Sequence, residues 1–264
     1  MSNILTEIKD KVLTITLNNI AKHNAFDDLL IDELQKILRE ADQNPLIYAV
    51  ILRGNGKHFS AGADLNWMQR MANFSEEENK ADALNLANLL STLYNIKKPT
   101  IAVVHGATFG GGLGLIAACD IAIAEPSAKF CFSEVKLGLI PAVISPYVIK
   151  AVGERSAKWL FMTAEIFDSQ KALEIQLIQY IIAAEELNNF ANSLAKSLVN
   201  LPTDAVLQAK SLVKEVAYLP IDNTTSALTA ERIAKKRVSN EAQTALHNFL
   251  NKGNTKNVAK NSNC

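Results

Sequence analysis

The chain of 264 residues has few cysteines and no excess of either charge. Its cysteines are Cys119, Cys131 and Cys264, and 27 Lys and Arg residues balance 27 Asp and Glu residues. A sparse, odd number of cysteines argues against a disulfide framework and favours free thiols in a reducing compartment. A balanced charge gives no support for non-specific binding to nucleic acid or to a membrane surface.

Targeting and membrane-spanning segments are also missing from the sequence. The stretch 1–7 has no basic region followed by a long apolar run, and no apolar stretch is long enough to cross a bilayer. Hydrophobic residues nevertheless make up 48% of the chain, which excludes a disordered protein. We therefore expect a folded cytoplasmic protein that binds neither membranes nor nucleic acid.

Several catalytic signatures are absent as well. The glycine-rich run has Leu115 where the dinucleotide fingerprint, counted from Gly110, needs its last glycine, and neither a Walker motif nor a G-x-S-x-G elbow occurs. The four histidines are scattered without metal-ligand spacing: His23, His58, His105 and His247. The sequence thus predicts no metal site, and His105 is either a base or a hydrogen-bonded core residue.

The hydrophobic pattern predicts an α/β fold followed by helices. Strands are predicted over 12–17, 47–52, 100–104 and 121–124, and helices over 25–41 and 76–94. Helices also dominate the remainder, over 154–162, 168–176, 185–199, 203–218, 222–238 and 240–251, with one strand near 180–182. We expect an α/β core in residues 1–195 and a C-terminal helical region in residues 196–264.

The most informative motif is the glycine run that follows the strand predicted over 100–104. Phe109-Gly110-Gly111-Gly112 leads into small and apolar residues at helical spacing, so the segment is typical of a strand, a tight turn and a helix start. Free N–H groups at a helix N-terminus attract negative charge, which makes this a candidate anion or oxyanion site. Alternatively, the glycines only permit close packing of the helix.

A second loop, residues 54–65, carries small residues and an acid after the strand predicted over 47–52. Asp64 suits a helix N-cap, and the backbone of Ala61, Gly62 and Ala63 is unobstructed enough to lie against a ligand. The alternative is an ordinary capped turn.

A third segment, residues 129–141, places Glu134 in strongly apolar surroundings. Such a carboxylate is expected to have a raised pKa and to act as an acid or base. Alternatively, Glu134 forms a surface ion pair with Lys136 or Lys129.

Five segments in register resemble the enoyl-CoA hydratase/isomerase (crotonase) family. They are Ser60-Ala61-Gly62-Ala63-Asp64-Leu65, Lys98-Pro99-Thr100-Ile101-Ala102, His105-Gly106-Ala107-Thr108-Phe109-Gly110-Gly111-Gly112, Ala118-Cys119-Asp120-Ile121-Ala122 and Ser133-Glu134-Val135-Lys136-Leu137-Gly138-Leu139-Ile140-Pro141. The resemblance extends from the first strand to Lys252. Segments 134–147 and 64–68 look most like bacterial methylglutaconyl-CoA hydratases of leucine breakdown.

The resemblance implies a spiral of ββα units, a C-terminal region that builds trimers or hexamers, and no cofactor beyond the coenzyme A of the substrate. It implies catalysis by Glu134 and an oxyanion hole formed by the N–H groups of Ala63 and Gly111, with the Ala61 carbonyl meeting adenine. The residues that it implies to contact the acyl-CoA are Lys22, His23, Ala25, Ala61, Gly62, Asp64, Leu65, Gly110, Gly114, Pro141, Phe249 and Lys252.

Two positions depart from the family pattern. The usual proline before the segment 22–26 is Ala21, and the first of the two glutamates of the hydratases is Gly114. The favoured activity is hydration of an α,β-unsaturated, branched acyl-CoA with Glu134 as acid and base. Gly114 keeps two alternatives open: a Δ3,Δ2-enoyl-CoA isomerase that uses Glu134 alone, and a non-catalytic acyl-CoA-binding protein. A hydrolase of the same fold is disfavoured by the lack of a Ser/His arrangement.

Overall fold

The computed structural model describes the backbone of residues 2–261 and the side chains of residues 2–251. Nine strands lie within this range: β1 Ile4–Lys9, β2 Val12–Leu17, β3 Ala49–Gly54, β4 Thr100–Val104, β5 Ala107–Phe109, β6 Ile121–Ala124, β7 Lys129–Cys131, β8 Phe167–Asp168 and β9 Tyr180–Ile181. Its α-helices are α1 Asp28–Gln43, α2 Leu65–Met71, α3 Glu76–Asn95, α4 Gly111–Ala118, α5 Ser145–Thr163, α6 Ser169–Glu174, α7 Leu187–Val199, α8 Thr203–Val216, α9 Asn223–Arg237 and α10 Asn240–Asn261.

The strands form two sheets. The larger sheet has the order β1-β2-β3-β4-β6-β9, in which only the β1–β2 pair is antiparallel, and the smaller sheet has the order β5-β7-β8. Each of β4 and β6 is followed by a short strand of the smaller sheet and then by a helix, so the chain repeats a ββα unit. The predicted spiral of ββα units with C-terminal helices is therefore confirmed.

The chain divides into two compact units, Met1–Ser197 and the remainder from Leu198. In the first unit, α1 buries Leu30, Leu34 and Leu38 along one face, and the capping box of Ser75 and Glu78 starts α3. In the second unit, neither α8 nor α9 buries a single residue. No helix of the described part is long and apolar enough to cross a membrane.

Four predicted elements have wrong boundaries, and the differences are informative. The first helix starts at Asp28 rather than at residue 25, because Ala25 and Phe26 run extended and Phe26 forms a β-bridge with Ala63. The strand predicted over 47–52 lies two residues later. The helix predicted over 154–162 begins already at Ser145, with a proline in its first turn, and that over 240–251 continues to Asn261.

Candidate active site

Two segments distant in sequence are joined beside the first helix. Phe26 donates its N–H to the Gly62 carbonyl at 2.7 Å and accepts from the Asp64 N–H at 2.7 Å. In this parallel bridge Phe26 hydrogen-bonds to the backbone of Gly62 and Asp64, the two residues on either side of Ala63. The N–H of Ala63 itself therefore faces away from Phe26. Within the described residues the Ala63 N–H donates no hydrogen bond.

Asn24 fixes this loop, and the sequence analysis missed it. Its buried side-chain amide donates to the backbone carbonyls of Asn55 and His58, each at 2.9 Å, and the backbone carbonyl of Asn24 accepts the Ser60 hydroxyl at 2.9 Å. The Gly62 N–H donates to the same Ser60 oxygen at 3.3 Å. Asn24 also has a φ of +55°, a conformation in which Asn is enriched, and this was the available sequence signal.

The glycine run forms the predicted strand, turn and helix. Gly110, with φ +49°, stands before α4 and donates its N–H to the Cys131 carbonyl at 3.0 Å. Gly111 is the first residue of α4, where N–H groups have no partner inside the helix, and its N–H has no other acceptor among the described residues.

The free N–H groups of Gly111 and Ala63 belong to adjoining segments. A Cβ at Gly111 would lie 3.7 Å from the ring of Phe26, the residue that is bridged to Ala63. A Cβ at Gly62 would lie 3.2 Å from the Phe109 carbonyl, and Ser60 is bridged to Thr108. Two backbone donors without acceptors, held by rigid elements on both sides, are an arrangement that stabilises negative charge on an oxygen.

Glu134 completes this region. It opens a short 3-10 helix, Glu134–Leu137, three residues after the end of β7, and its Oε1 would lie 3.5 Å from a Cβ at Gly110. Its Oε2 is buried and has no hydrogen-bond partner. Desolvation by burial raises the pKa of this carboxyl above its usual value.

Glu134 does not form the surface ion pair with Lys136 or Lys129 that was the alternative prediction. Among the described residues no salt bridge includes Glu134, and the Nζ of Lys136 lies instead 3.8 Å from the Sγ of Cys131. A buried carboxylate without a compensating cation is costly to keep charged, which marks Glu134 as a candidate acid or base.

Gly114 lies one turn into α4 and is buried in a tight contact. A Cβ at this position would stand 2.5 Å from the Cγ2 of Ile144 and 3.2 Å from the Cδ1 of Leu90. Any larger side chain at this position would therefore meet the side chain of Ile144. Gly114 has a packing role here.

Lys22 and Asp64 form an ion pair at 2.9 Å. Asp64 is the N-cap of α2, as predicted, and accepts from the N–H groups of Asn66 and Trp67. Burial acts to raise the pKa of Asp64, but the hydrogen bonds from Lys22 and from these N–H groups outweigh it and lower that pKa. The pair joins segment 22–26 to the loop that carries Ala63.

The remaining predicted residues are distributed unevenly. In the first unit Ala25 and Pro141 are buried, Leu65 is 74% exposed, and the ring of His23 contacts that of His58 with centroids 5.1 Å apart. The Nε2 of His105 lies 3.0 Å from the Gly56 carbonyl, so this histidine has a hydrogen-bond partner. In the second unit Phe249 is exposed on α10, and the side chain of Lys252 lies outside the described residues, as does Cys264.

Comparisons with known proteins agree with this geometry. Residues 7–257 match the protein family described as enoyl-CoA hydratase/isomerase. The chain is 30% identical over 254 residues to a short-chain-enoyl-CoA hydratase of Clostridium acetobutylicum, covering 96% of each protein.

Solved structures are closer still. One is the structure of a Legionella pneumophila protein described as an enoyl-CoA hydratase/isomerase (crotonase). It superposes with a TM-score of 0.93 at 53% identity and covers 96% of this chain and 97% of the other. An enoyl-CoA hydratase of Shewanella pealeana superposes with a TM-score of 0.91 at 45% identity, covering 95% and 94%.

Proposed function

The chain belongs to the enoyl-CoA hydratase/isomerase family, and from that premise we propose that this enzyme adds water to an α,β-unsaturated acyl-CoA. The observation that carries the proposal is the buried, unpaired Oε2 of Glu134, whose carboxylate lies beside Gly110 at the start of α4. The carboxylate can act as a general base there, and the next residue after Gly110, Gly111, has a free N–H.

In the proposed reaction the thioester oxygen binds the N–H groups of Ala63 and Gly111. Water attacks the β-carbon and gives a proton to Glu134, while the electrons of the double bond move into a thioester enolate. The two N–H donors stabilise that enolate, and one such donor is typically worth about 3–4 kcal/mol. Glu134 then returns a proton to the α-carbon on the same face, so the addition is syn and Glu134 is again a carboxylate.

An isomerase that moves a double bond with one carboxylate is the second candidate. The observation that favours it is Ile144, whose side chain packs against Gly114, the position that matches the first of the two glutamates of the hydratases. Such an isomerase needs only Glu134 to remove a proton at one carbon and to return it at another, with the same N–H donors stabilising the dienolate.

The acyl group and the location are finer parts of the proposal. A branched, methylglutaconyl-like acyl group is supported by the resemblance of segments 64–68 and 134–147 to that subfamily. The Lys22–Asp64 pair supports binding of the coenzyme A part beside segment 22–26, since a half-exposed lysine there meets a phosphorylated ligand. A cytoplasmic location is supported by Cys131, a buried cysteine that forms no disulfide bond.

Product analysis separates the candidates. The protein is incubated with crotonyl-CoA, 3-methylglutaconyl-CoA and a 3-enoyl-CoA, and the products are identified by mass. We expect a gain of one water with the first two substrates and the faster rate with the branched one. A 3-enoyl-CoA converted without a mass change, with no hydration of the others, would establish the isomerase. No turnover of any ester would leave a non-catalytic acyl-CoA-binding protein.

A homotrimer or a pair of trimers is the proposed assembly. Its support is the second unit, in which α8 and α9 bury no residue while apolar side chains such as Val213 and Val238 are 65% and 77% exposed. Large exposed apolar surfaces typically mark interfaces between subunits.

A further inference from the structure

Because Ile144 packs against Gly114, no carboxylate at that position can help Glu134 to bind the attacking water, and another group is needed. A base alone leaves the second hydrogen of the water, and hence its orientation, undetermined. We propose that the hydroxyl of Ser133 is the second group that binds this water, in the role that a second carboxylate would otherwise have. This inference rests on the proposed hydration of an enoyl-CoA.

The side-chain oxygens of Ser133 and Glu134 both lie beside Gly110. A Cβ at Gly110 would lie 3.9 Å from the Oγ of Ser133 and 3.5 Å from the Oε1 of Glu134. Both polar groups thus border the same position, immediately before the free N–H of Gly111. A water held between these two side chains, clear of the Gly110 backbone, has two oxygen acceptors from consecutive residues.

The Ser133 hydroxyl is available for this task. It stands at the N-cap of the 3-10 helix Glu134–Leu137 but makes no capping hydrogen bond, and in the part of the chain that the structure describes its Oγ has no partner. N-cap serines normally accept from a backbone N–H of the first turn, so the free hydroxyl is an exception to their usual structural role. Ser133 is partly exposed, which leaves it accessible to water.

The backbone holds both side chains in place. The Ser133 carbonyl accepts the Lys136 N–H at 3.1 Å, and the Glu134 carbonyl accepts the Leu139 N–H at 3.0 Å. Just before Ser133 and Glu134, the Cys131 carbonyl accepts the Gly110 N–H at 3.0 Å. This hydrogen bond fixes the distance between the start of α4 and the segment 131–134. A site built on such rigid elements keeps its geometry through the reaction.

The step balances with Ser133 neutral throughout. One hydrogen of the water is donated to Ser133 Oγ and remains bound to the water oxygen. The other is transferred as a proton to Glu134 as the bond from oxygen to the β-carbon forms. The electron pair of the double bond becomes the enolate, and the proton on Glu134 completes the addition at the α-carbon.

The test compares two reactions that differ only in their need for water. Hydration of crotonyl-CoA needs water at the β-carbon. Exchange of the α-hydrogens of butyryl-CoA for deuterium in D2O needs Glu134 and the oxyanion donors but no attack at the β-carbon. Ser133→Ala, Ser133→Thr and Glu134→Gln are measured in both assays, with Ser193→Ala, an exposed serine on α7, as the matched control.

We expect Ser133→Ala to lower kcat for hydration about 10- to 100-fold, as misplacement of a reactant does, with KM nearly unchanged. Its exchange rate stays within about threefold of the wild type, and Ser133→Thr, which keeps the hydroxyl, recovers hydration. Glu134→Gln loses both reactions. Hydration at the wild-type rate in Ser133→Ala overturns the inference. Equal loss of hydration and exchange in that variant does so too, because Ser133 would then support the fold of the site. If the wild type exchanges α-hydrogens but hydrates no ester, the proposed function fails and the inference with it.

Discussion

At the scale of single residues, Glu134 combines a requirement of catalysis with a cost in stability. The Oε2 of its carboxylate is buried without a hydrogen-bond partner, and burial raises the pKa of this carboxyl. Water activation requires the deprotonated form. We therefore expect the acid limb of the pH profile of kcat/KM to have its midpoint above the ordinary glutamate value of 4.5. Initial rates across the acid and neutral range measure this midpoint, and one at or below the ordinary value contradicts the assignment of Glu134 as the base.

The same burial predicts that the inactive variant is the more stable one. Because the folded-state pKa is raised, the folded protein binds more protons than the unfolded chain, and stability falls as pH rises through that pKa. Glu134→Gln removes this charge, so we expect its Tm at neutral pH to rise by about 2–4 °C, which corresponds to about 1 kcal/mol. The gain should shrink as the pH is lowered toward 4.5. Glu165→Gln, a change at an exposed carboxylate, serves as the control and should leave Tm unchanged.

Gly114 provides a prediction about packing. Replacing a helical glycine by alanine usually stabilises by about 1 kcal/mol, but here the new Cβ would stand 2.5 Å from the Cγ2 of Ile144. We expect Gly114→Ala to destabilise by about 1–3 kcal/mol in chemical denaturation, the range for overpacked cores. The double variant Gly114→Ala/Ile144→Ala should be more stable than the sum of the single effects predicts. Full additivity would show that the two residues do not touch. Gly114→Glu meets the same contact and is not expected to add a working carboxylate.

At the scale of elements, the short helix α2 depends on its neighbours. It has seven residues, too few for a helix that is stable by itself, and it directly follows the loop that ends in Ala63 and Asp64. The buried Trp67 of α2 donates its ring N–H to Asp82 of α3 at 3.0 Å. This hydrogen bond ties α2, and with it the Ala63 N–H, to the longer helix.

We expect Asp82→Ala to lower kcat/KM for hydration about tenfold by loosening α2, whereas Asp82→Asn keeps an acceptor for Trp67 and should retain most activity. Amide hydrogen exchange of residues 65–71 reports the loosening directly, and it should rise only in the alanine variant. An alanine variant with wild-type kinetics and protection would show that α2 is positioned by other contacts.

The elements also show how far the sequence predicts the structure. The strand over 100–104 and the helix over 76–94 are confirmed nearly to the residue, because each is a regular apolar pattern with clear end signals. The extended run of Ala25 and Phe26 could not be predicted, since it depends on pairing with Gly62 and Asp64 far along the chain. The spacing of apolar residues predicts a helix from local sequence alone and carries no information about pairing with a distant segment.

The candidate site follows the same division. Asp64 at the N-cap of α2 and Gly111 at the start of α4 follow from local patterns, and so does the apolar setting of Glu134. The role of Ile144 depends on how the start of α5 packs against α4, and the role of Asn24 depends on carbonyls of a loop more than thirty residues away. Packing and long-range hydrogen bonds of this kind have no signature in a single sequence.

At the scale of the whole molecule, the exposed apolar side chains of the second unit are not explained by a monomer. A packed helical unit normally buries one face of each helix, yet within the described residues of a single chain α8 and α9 bury no residue. A second copy of the chain supplies a matching apolar surface by symmetry, which is why closed homo-oligomers are the usual outcome.

We expect light scattering at micromolar concentration to give three or six times the mass of one chain. Val213→Glu, at a position 65% exposed on α8, should reduce that mass, because burying an unpaired charge at an interface is costly. Thr224→Glu, an acid added at an exposed position in the first turn of α9, is the control and should leave the mass unchanged, since a negative charge there favours the helix. A wild-type protein with the mass of a single chain would refute the assembly, and the exposed apolar residues of the second unit would then need a different partner.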